Sequence, residues 1–127
     1  MKISYGKCVQ TNKDLAAVVK ALKEGTQMNK NTKKFEKKIS LLFKKKFGLM
    51  TNSGSSALLL AYETLSIKKG SNFITPVLNF STTVSMMIKS GYIPNFVDIN
   101  PKTFCIDENK IEKSINKKTA ALVIPNL

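Results

Sequence analysis

Four short apolar runs, at residues 48–52, 72–75, 93–99 and 120–124, alternate with helix-favouring stretches through the last 80 or so residues of this chain. The runs are brief and rich in β-branched residues, as in NFIT, IPNFVDI and AALVI. Read in order, Gly48–Asn52 is a strand, and a Ser53–Ser56 loop leads to a helix reaching about Leu65. Lys68-Lys69-Gly70 breaks that helix. Asn72–Thr75 is a strand that stops at Pro76, and Ser81–Ser90 is a helix ended by Gly91. Ile93–Ile99 is a strand with Pro94 at its start, and Asn100–Thr103 is a turn. Asp107 caps a helix to about Ile115, and Ala120–Ile124 is the last strand. The order β-α-β-α-β-α-β predicts an α/β fold, a mostly parallel sheet flanked by helices.

Two helices are expected before that unit. Asn12-Lys13-Asp14 caps the first, where Leu15, Val18, Val19 and Leu22 recur at helical spacing and Gly25 suits the C-terminal cap. The second starts at Asn31 or Thr32, carries Phe35, Ile39, Leu42 and Phe43 on one face, and ends near Gly48. The expected division is therefore 1–47, helical, and 48–127, α/β. The final run, 120–124, has no covering helix after it. An apolar strand left on an open edge is sticky, so the chain reads as the N-terminal part of a longer protein, poorly soluble when made alone.

The stretch TNSGSSALLLA, residues 51–61, sits between a strand and a helix start. Ligands of α/β sheets bind beyond the carboxyl ends of strands. A helix N-terminus offers free N–H groups and a dipole that favours an anion. Gly54 lets a ligand approach the backbone, and Ser55 and Ser56 add hydroxyls without bulk. The loop suits a phosphate monoester; equally, Ser55 or Ser56 is simply a helix N-cap. It is neither a Walker A loop nor a G-x-G-x-x-G turn. Phe80 opens the next helix on the same expected rim, where its ring either packs against the protein or stacks on a flat cofactor.

Composition narrows the chemistry. With no histidine, Ser–His and Cys–His pairs and the common zinc sites are excluded from this chain. Cys8 and Cys105 form no CxxC motif and read as reduced, buried thiols. The net charge of +13 comes from 21 lysines without one arginine. Nucleic-acid sites draw on arginine for bidentate contacts, so the Lys30–Lys46 stretch reads as a solvated helix face. No run approaches the length of a membrane span, and MKISYGKCVQ lacks a signal peptide's apolar core. A cytoplasmic protein binding neither membrane nor nucleic acid is expected.

The runs FEKKISLLFKKKFGLMTNSGSSALLLAYETL and TPVLNFSTTVSMMIKSGYIPNFVDINPKTFCIDENKIEKSINKKTAALVIPNL resemble the DegT/DnrJ/EryC1/StrS family. These are fold-type-I enzymes that use pyridoxal 5′-phosphate (PLP) on nucleotide-linked keto sugars. The resemblance spans roughly Ile3 to Leu127, about the first third of a typical member, and implies the N-terminal portion of the large PLP-binding domain. It implies that Gly54, Ser55 and Ser56 hold the cofactor phosphate and that Phe80 stacks on the pyridine ring; Thr82 and Thr83 match a polar pair near the active site. The lysine that carries the cofactor and the carboxylate that pairs with its ring nitrogen match nothing here. Both are expected beyond Leu127, leaving this piece inactive alone, with no catalytic and no metal-binding residue of its own.

The resemblance also implies an amino donor such as glutamate, a homodimer when full length, and a role in cell-surface polysaccharide or deoxyaminosugar biosynthesis. One departure bears on the branch. Where many aminotransferases carry a glycine-rich turn and an NGT-type loop, this chain reads MNKNT and NSGSS. NSGSS with NFSTTV and the opening ISYGK resembles the sugar 3-dehydratases, which work with pyridoxamine 5′-phosphate (PMP). A phosphate-binding α/β module without catalysis, and a lysine-rich nucleic-acid binder, are the rival readings.

Overall fold

A computed structural model describes residues 6–27 and 30–125. The ISY of the opening motif, Met28 and Asn29 of the expected loop, and the last two residues lie outside that range. The chain forms two compact units, Met1–Met50 and Thr51–Leu127.

The first unit holds helices α1 (Asn12–Glu24) and α2 (Lys30–Leu42). Thr11, one residue before the expected Asn12-Lys13-Asp14 cap, caps α1 through a reciprocal box with Asp14. Its Oγ1 accepts from Asp14 N at 3.3 Å, and its own N–H donates to Asp14 Oδ2 at 2.8 Å. The Thr11 hydroxyl also donates to Asp14 Oδ2 at 2.7 Å, and the hydrogen bonds from the Thr11 side chain and backbone to this carboxylate hold the Asp14 pKa below its ordinary value. The lysines of α2 point to solvent, as its sequence predicts. Its apolar side chains do not form a core, however: Phe35, Leu42 and Phe43 are exposed, and Ser40 is the buried residue of the helix.

Two further expectations fail in this unit. Helix α2 stops at Leu42 rather than near Gly48, because Lys44 takes a left-handed turn (φ 52°). The anticipated strand at 48–52 is absent. Met50 N donates to Glu36 Oε1 at 2.9 Å instead of to a sheet partner. Gly48 lies so close to α2 that an added Cβ would meet the Glu36 carbonyl oxygen at 2.7 Å. Contacts to α2 satisfy this segment locally, and sheet pairing does not claim it.

The second unit is the α/β part: α3 (Gly54–Thr64), β1 (Asn72–Pro76), α4 (Ser81–Lys89), β2 (Ile93–Val97), α5 (Glu108–Ser114) and β3 (Thr119–Leu122). Its three strands form a parallel sheet in the order β2-β1-β3. Strand β1 is central, and four consecutive residues, Phe73 to Pro76, are buried, as a strand covered on both faces requires. Side chains alternate across the sheet. Phe73 packs with Tyr62, Met87 and Tyr92 under α3 and α4, while Ile74 packs with Val97 and Ile106 beneath Ile111 of α5.

The aromatic cluster is tied by polar bonds as well as by rings. Tyr62 Oη donates to the Thr83 carbonyl at 3.1 Å, and burial raises the Tyr62 pKa. The 93–99 run splits: β2 ends at Val97, and Ile99 instead makes an isolated antiparallel bridge to Ile106 across the Asn100 turn. Lys110 Nζ meets Asp98 Oδ2 at 3.1 Å, and that hydrogen bond lowers the Asp98 pKa. Neither thiol belongs to the core, contrary to the sequence expectation. Cys8 is exposed and Cys105 half-buried, both as free thiols.

Candidate functional site

Helices α3 and α4 aim their N-termini at one edge of the sheet. Helix α4 directly follows β1, so it begins at that strand's carboxyl end. Helix α3 ends at the opposite edge, where Tyr92 Oη, just before β2, lies 3.3 Å from the Tyr62 carbonyl and 3.4 Å from that of Leu65. Its first turn therefore points toward the carboxyl edge. Both helices therefore present the positive ends of their dipoles, and N–H groups of their first turns, at that edge.

The cap of α3 is Ser53, not Ser55 or Ser56. Ser53 has extended backbone (φ −160°, ψ 159°), and its Oγ accepts from Ser56 N at 3.1 Å. The same hydroxyl bonds Ser56 Oγ at 3.1 Å, and Thr51 Oγ1 donates to the Ser53 carbonyl at 2.8 Å. This arrangement occupies the Ser56 amide, has the Ser56 hydroxyl accept from Ser53, and leaves the N–H groups of Gly54 and Ser55, with the Ser55 hydroxyl, unbonded among the described residues. A Cβ built on Gly54 meets nothing within 4 Å, so no protein contact requires glycine there.

Phe80 is the N-cap residue of α4 and makes no side-chain capping bond. Its ring is 68% exposed, so it is not packed into the core of the described residues. An aromatic residue is a poor N-cap and gains little from an exposed ring. Thr83 is buried in the first turn of α4 and Thr82 half-buried beside it.

Sequence reasoning missed the support beneath Phe80. Asn79 Nδ2 donates to Thr75 Oγ1 at 2.7 Å, and Thr75 Oγ1 donates to the Val123 carbonyl at 2.8 Å. This relay pins the β1–α4 connection to the segment after β3. Asn79 Oδ1 is buried without a hydrogen-bond partner among the described residues. An Asn before a helix reads as a candidate cap; only the buried central strand beside it turns the side chain inward.

The rim thus offers unpaired amide donors, a hydroxyl, open space over a glycine and an exposed aromatic ring. This set fits a small anion joined to a flat heteroaromatic ring. Over residues 9–127 the chain matches the DegT/DnrJ/EryC1/StrS aminotransferase family. The chain belongs to this family.

Among curated family members, the 3-oxo-glucose-6-phosphate:glutamate aminotransferase of Bacillus subtilis is 35% identical over 114 residues, 86% of this chain and 26% of that protein. The GDP-4-keto-6-deoxy-D-mannose 3-dehydratase of Yersinia pseudotuberculosis is 35% identical over 106 residues, 79% of this chain and 27% of its own length. The solved E. coli GDP-4-keto-6-deoxy-D-mannose-3-dehydratase, which holds hydrated PLP, superposes with a TM-score of 0.83 at 26% identity, over 93% of this chain and 32% of that one. This chain therefore spans about a quarter of the curated relatives it matches and a third of the solved one. Solved family members carry PLP or PMP, and their fold is fold type I. The family's aminotransferases and dehydratases make enzyme ancestry plain, and polysaccharide biosynthesis recurs among the relatives.

Proposed function

We propose that the intact protein is a PLP-dependent aminotransferase acting on a nucleotide-linked keto sugar, with glutamate as amino donor, in cell-surface polysaccharide or deoxyaminosugar biosynthesis. The observation that carries this reading is the pairing on one rim of the unbonded Gly54 and Ser55 amides with the exposed ring of Phe80. In this account the two N–H groups and the hydroxyls of Ser55 and Ser56 hold the cofactor phosphate at the positive end of α3. The exposed ring of Phe80 would stack on the pyridine ring. The Asn79–Thr75 relay holds the connection that carries Phe80. When bound, PLP supplies an electron sink for a carbanion beside the amino group.

In the same account, residues 48–127 open the cofactor-binding domain and residues 1–47 form a helical segment before it. The cofactor-bearing lysine and the carboxylate facing the ring nitrogen lie beyond Leu127, so these 127 residues alone do not transaminate. The intact protein is a cytoplasmic homodimer. No described helix is long and apolar enough to cross a membrane.

A PMP-dependent sugar 3-dehydratase is the second reading, favoured by the NSGSS and NFSTTV stretches and by the similarity to two such enzymes. One assay separates the readings: full-length protein, PLP, glutamate and a GDP- or dTDP-linked 4-keto-6-deoxy sugar. Formation of 2-oxoglutarate with an aminated sugar supports the aminotransferase. Loss of the 3-hydroxyl as water supports the dehydratase. Bound PLP with neither product leaves a binding module, and failure to bind PLP overturns both enzyme readings.

A further inference from the structure

At the amino edge of the sheet, away from the rim just described, the parallel pairing of β1 and β3 sets two approach segments side by side. Asn72 pairs with Thr119, and Asn72 N donates to the Lys118 carbonyl at 2.7 Å. The residues leading into these strands are Lys68-Lys69 and Lys117-Lys118. All four lysines line one cleft of about 500 Å³, together with Ser71 and Thr119. A parallel register, rather than sequence proximity, collects this charge.

The four ammonium groups are not equivalent. Lys69 is engaged: its Nζ donates to the Ser90 carbonyl at 2.5 Å, lies 3.6 Å from Glu63 Oε2, and sits 5.2 Å from the centre of the Tyr92 ring. Among the described residues, the side chains of Lys68, Lys117 and Lys118 have no ion-pair or hydrogen-bond partner, and neither does the Ser71 hydroxyl. Three free cations around one concavity repel one another, and an anion seated between them relieves that repulsion.

The size and lining of the cleft define the anion. Its volume falls in the range of small-molecule sites, about 300–1,000 Å³. It has no aromatic platform on which bases could stack and no arginine to read base edges, the features nucleic-acid grooves use. Lysine binds phosphate as a point charge. We propose that this cleft is a second anion site, which takes a compact di- or triphosphate. It shares no residue with the Ser55–Phe80 rim, so the two assignments stand or fall separately.

The test is calorimetric titration of the full-length protein with inorganic tripolyphosphate, in wild type and in two triple variants of equal charge. Lys68→Gln/Lys117→Gln/Lys118→Gln empties the cleft, whereas Lys37→Gln/Lys38→Gln/Lys44→Gln removes the same charge from α2 and the turn after it. The expected result is one-site binding that weakens at least tenfold in the first variant and little in the second, with cofactor binding unchanged in both. Equal weakening in both variants, or no binding by wild type, overturns the site. Tighter binding of a single-stranded RNA oligomer than of tripolyphosphate through the same three lysines also overturns it, in favour of a nucleic-acid face.

Discussion

At the scale of single residues, Thr75 shows how a buried polar group serves the rim. Its hydroxyl is fully buried on the central strand, yet it both donates to Val123 and accepts from Asn79. Thr75→Val keeps the shape and strands both partners. Leaving buried polar groups unsatisfied costs about 1–3 kcal/mol, and chemical denaturation should show a loss of that size. A Thr75→Val protein as stable as wild type would mean that the relay is not formed. Ser53 teaches the opposite lesson about reading a sequence. TNSGSS announces a capped helix start, but three serines compete for the cap, and only backbone geometry assigns it to Ser53 and leaves Ser55 unbonded. The exposed placement of Phe80 has the same character, because an aromatic residue before a helix is as consistent with packing as with a ligand.

At the scale of elements, local signals marked most boundaries. Apolar β-branched runs and helix caps located β1 to β3 and α3 to α5, because in this unit tertiary pairing agrees with local preference. The 48–52 run shows where that agreement ends. It looks like a strand, but Glu36 takes the Met50 amide and Gly48 packs against α2. Nothing in the run itself signals that competition. The capping box of α1 yields a test of its own. The Asp14 pKa is lowered because the carboxylate accepts from the Thr11 side chain and backbone. Its stabilisation is present above the unfolded pKa of about 4 and disappears as pH falls through the lower folded value. The Thr11 amide proton, followed by NMR, should titrate with a midpoint below about 4. A midpoint at or above that of an unfolded aspartate would mean that the box is open.

At the scale of the whole molecule, periodicity made the parallel α/β class legible, and the order of motifs made the family legible. The exposure of its apolar residues was less so. Phe35, Phe43 and Phe47 in the first unit and Leu122 and Ile124 in the second remain open to solvent. Helical spacing shows which residues share a face, not whether anything covers that face. Apolar surface of this extent promotes association. The 127-residue chain made alone is therefore expected to elute as larger species with rising concentration in size-exclusion chromatography with light scattering; a constant monomer mass would contradict this. The central claim, that the rim carrying Ser55 and Phe80 holds PLP, is tested most directly by PLP titration of the full-length protein, followed by its absorption band. Stacking on an aromatic ring contributes about 0.5–1.5 kcal/mol, so Phe80→Ala should weaken PLP binding up to about tenfold while leaving the melting temperature nearly unchanged. Gly54→Val should also weaken binding, since its side chain enters space the protein leaves empty. Wild-type affinity in both variants would contradict the account.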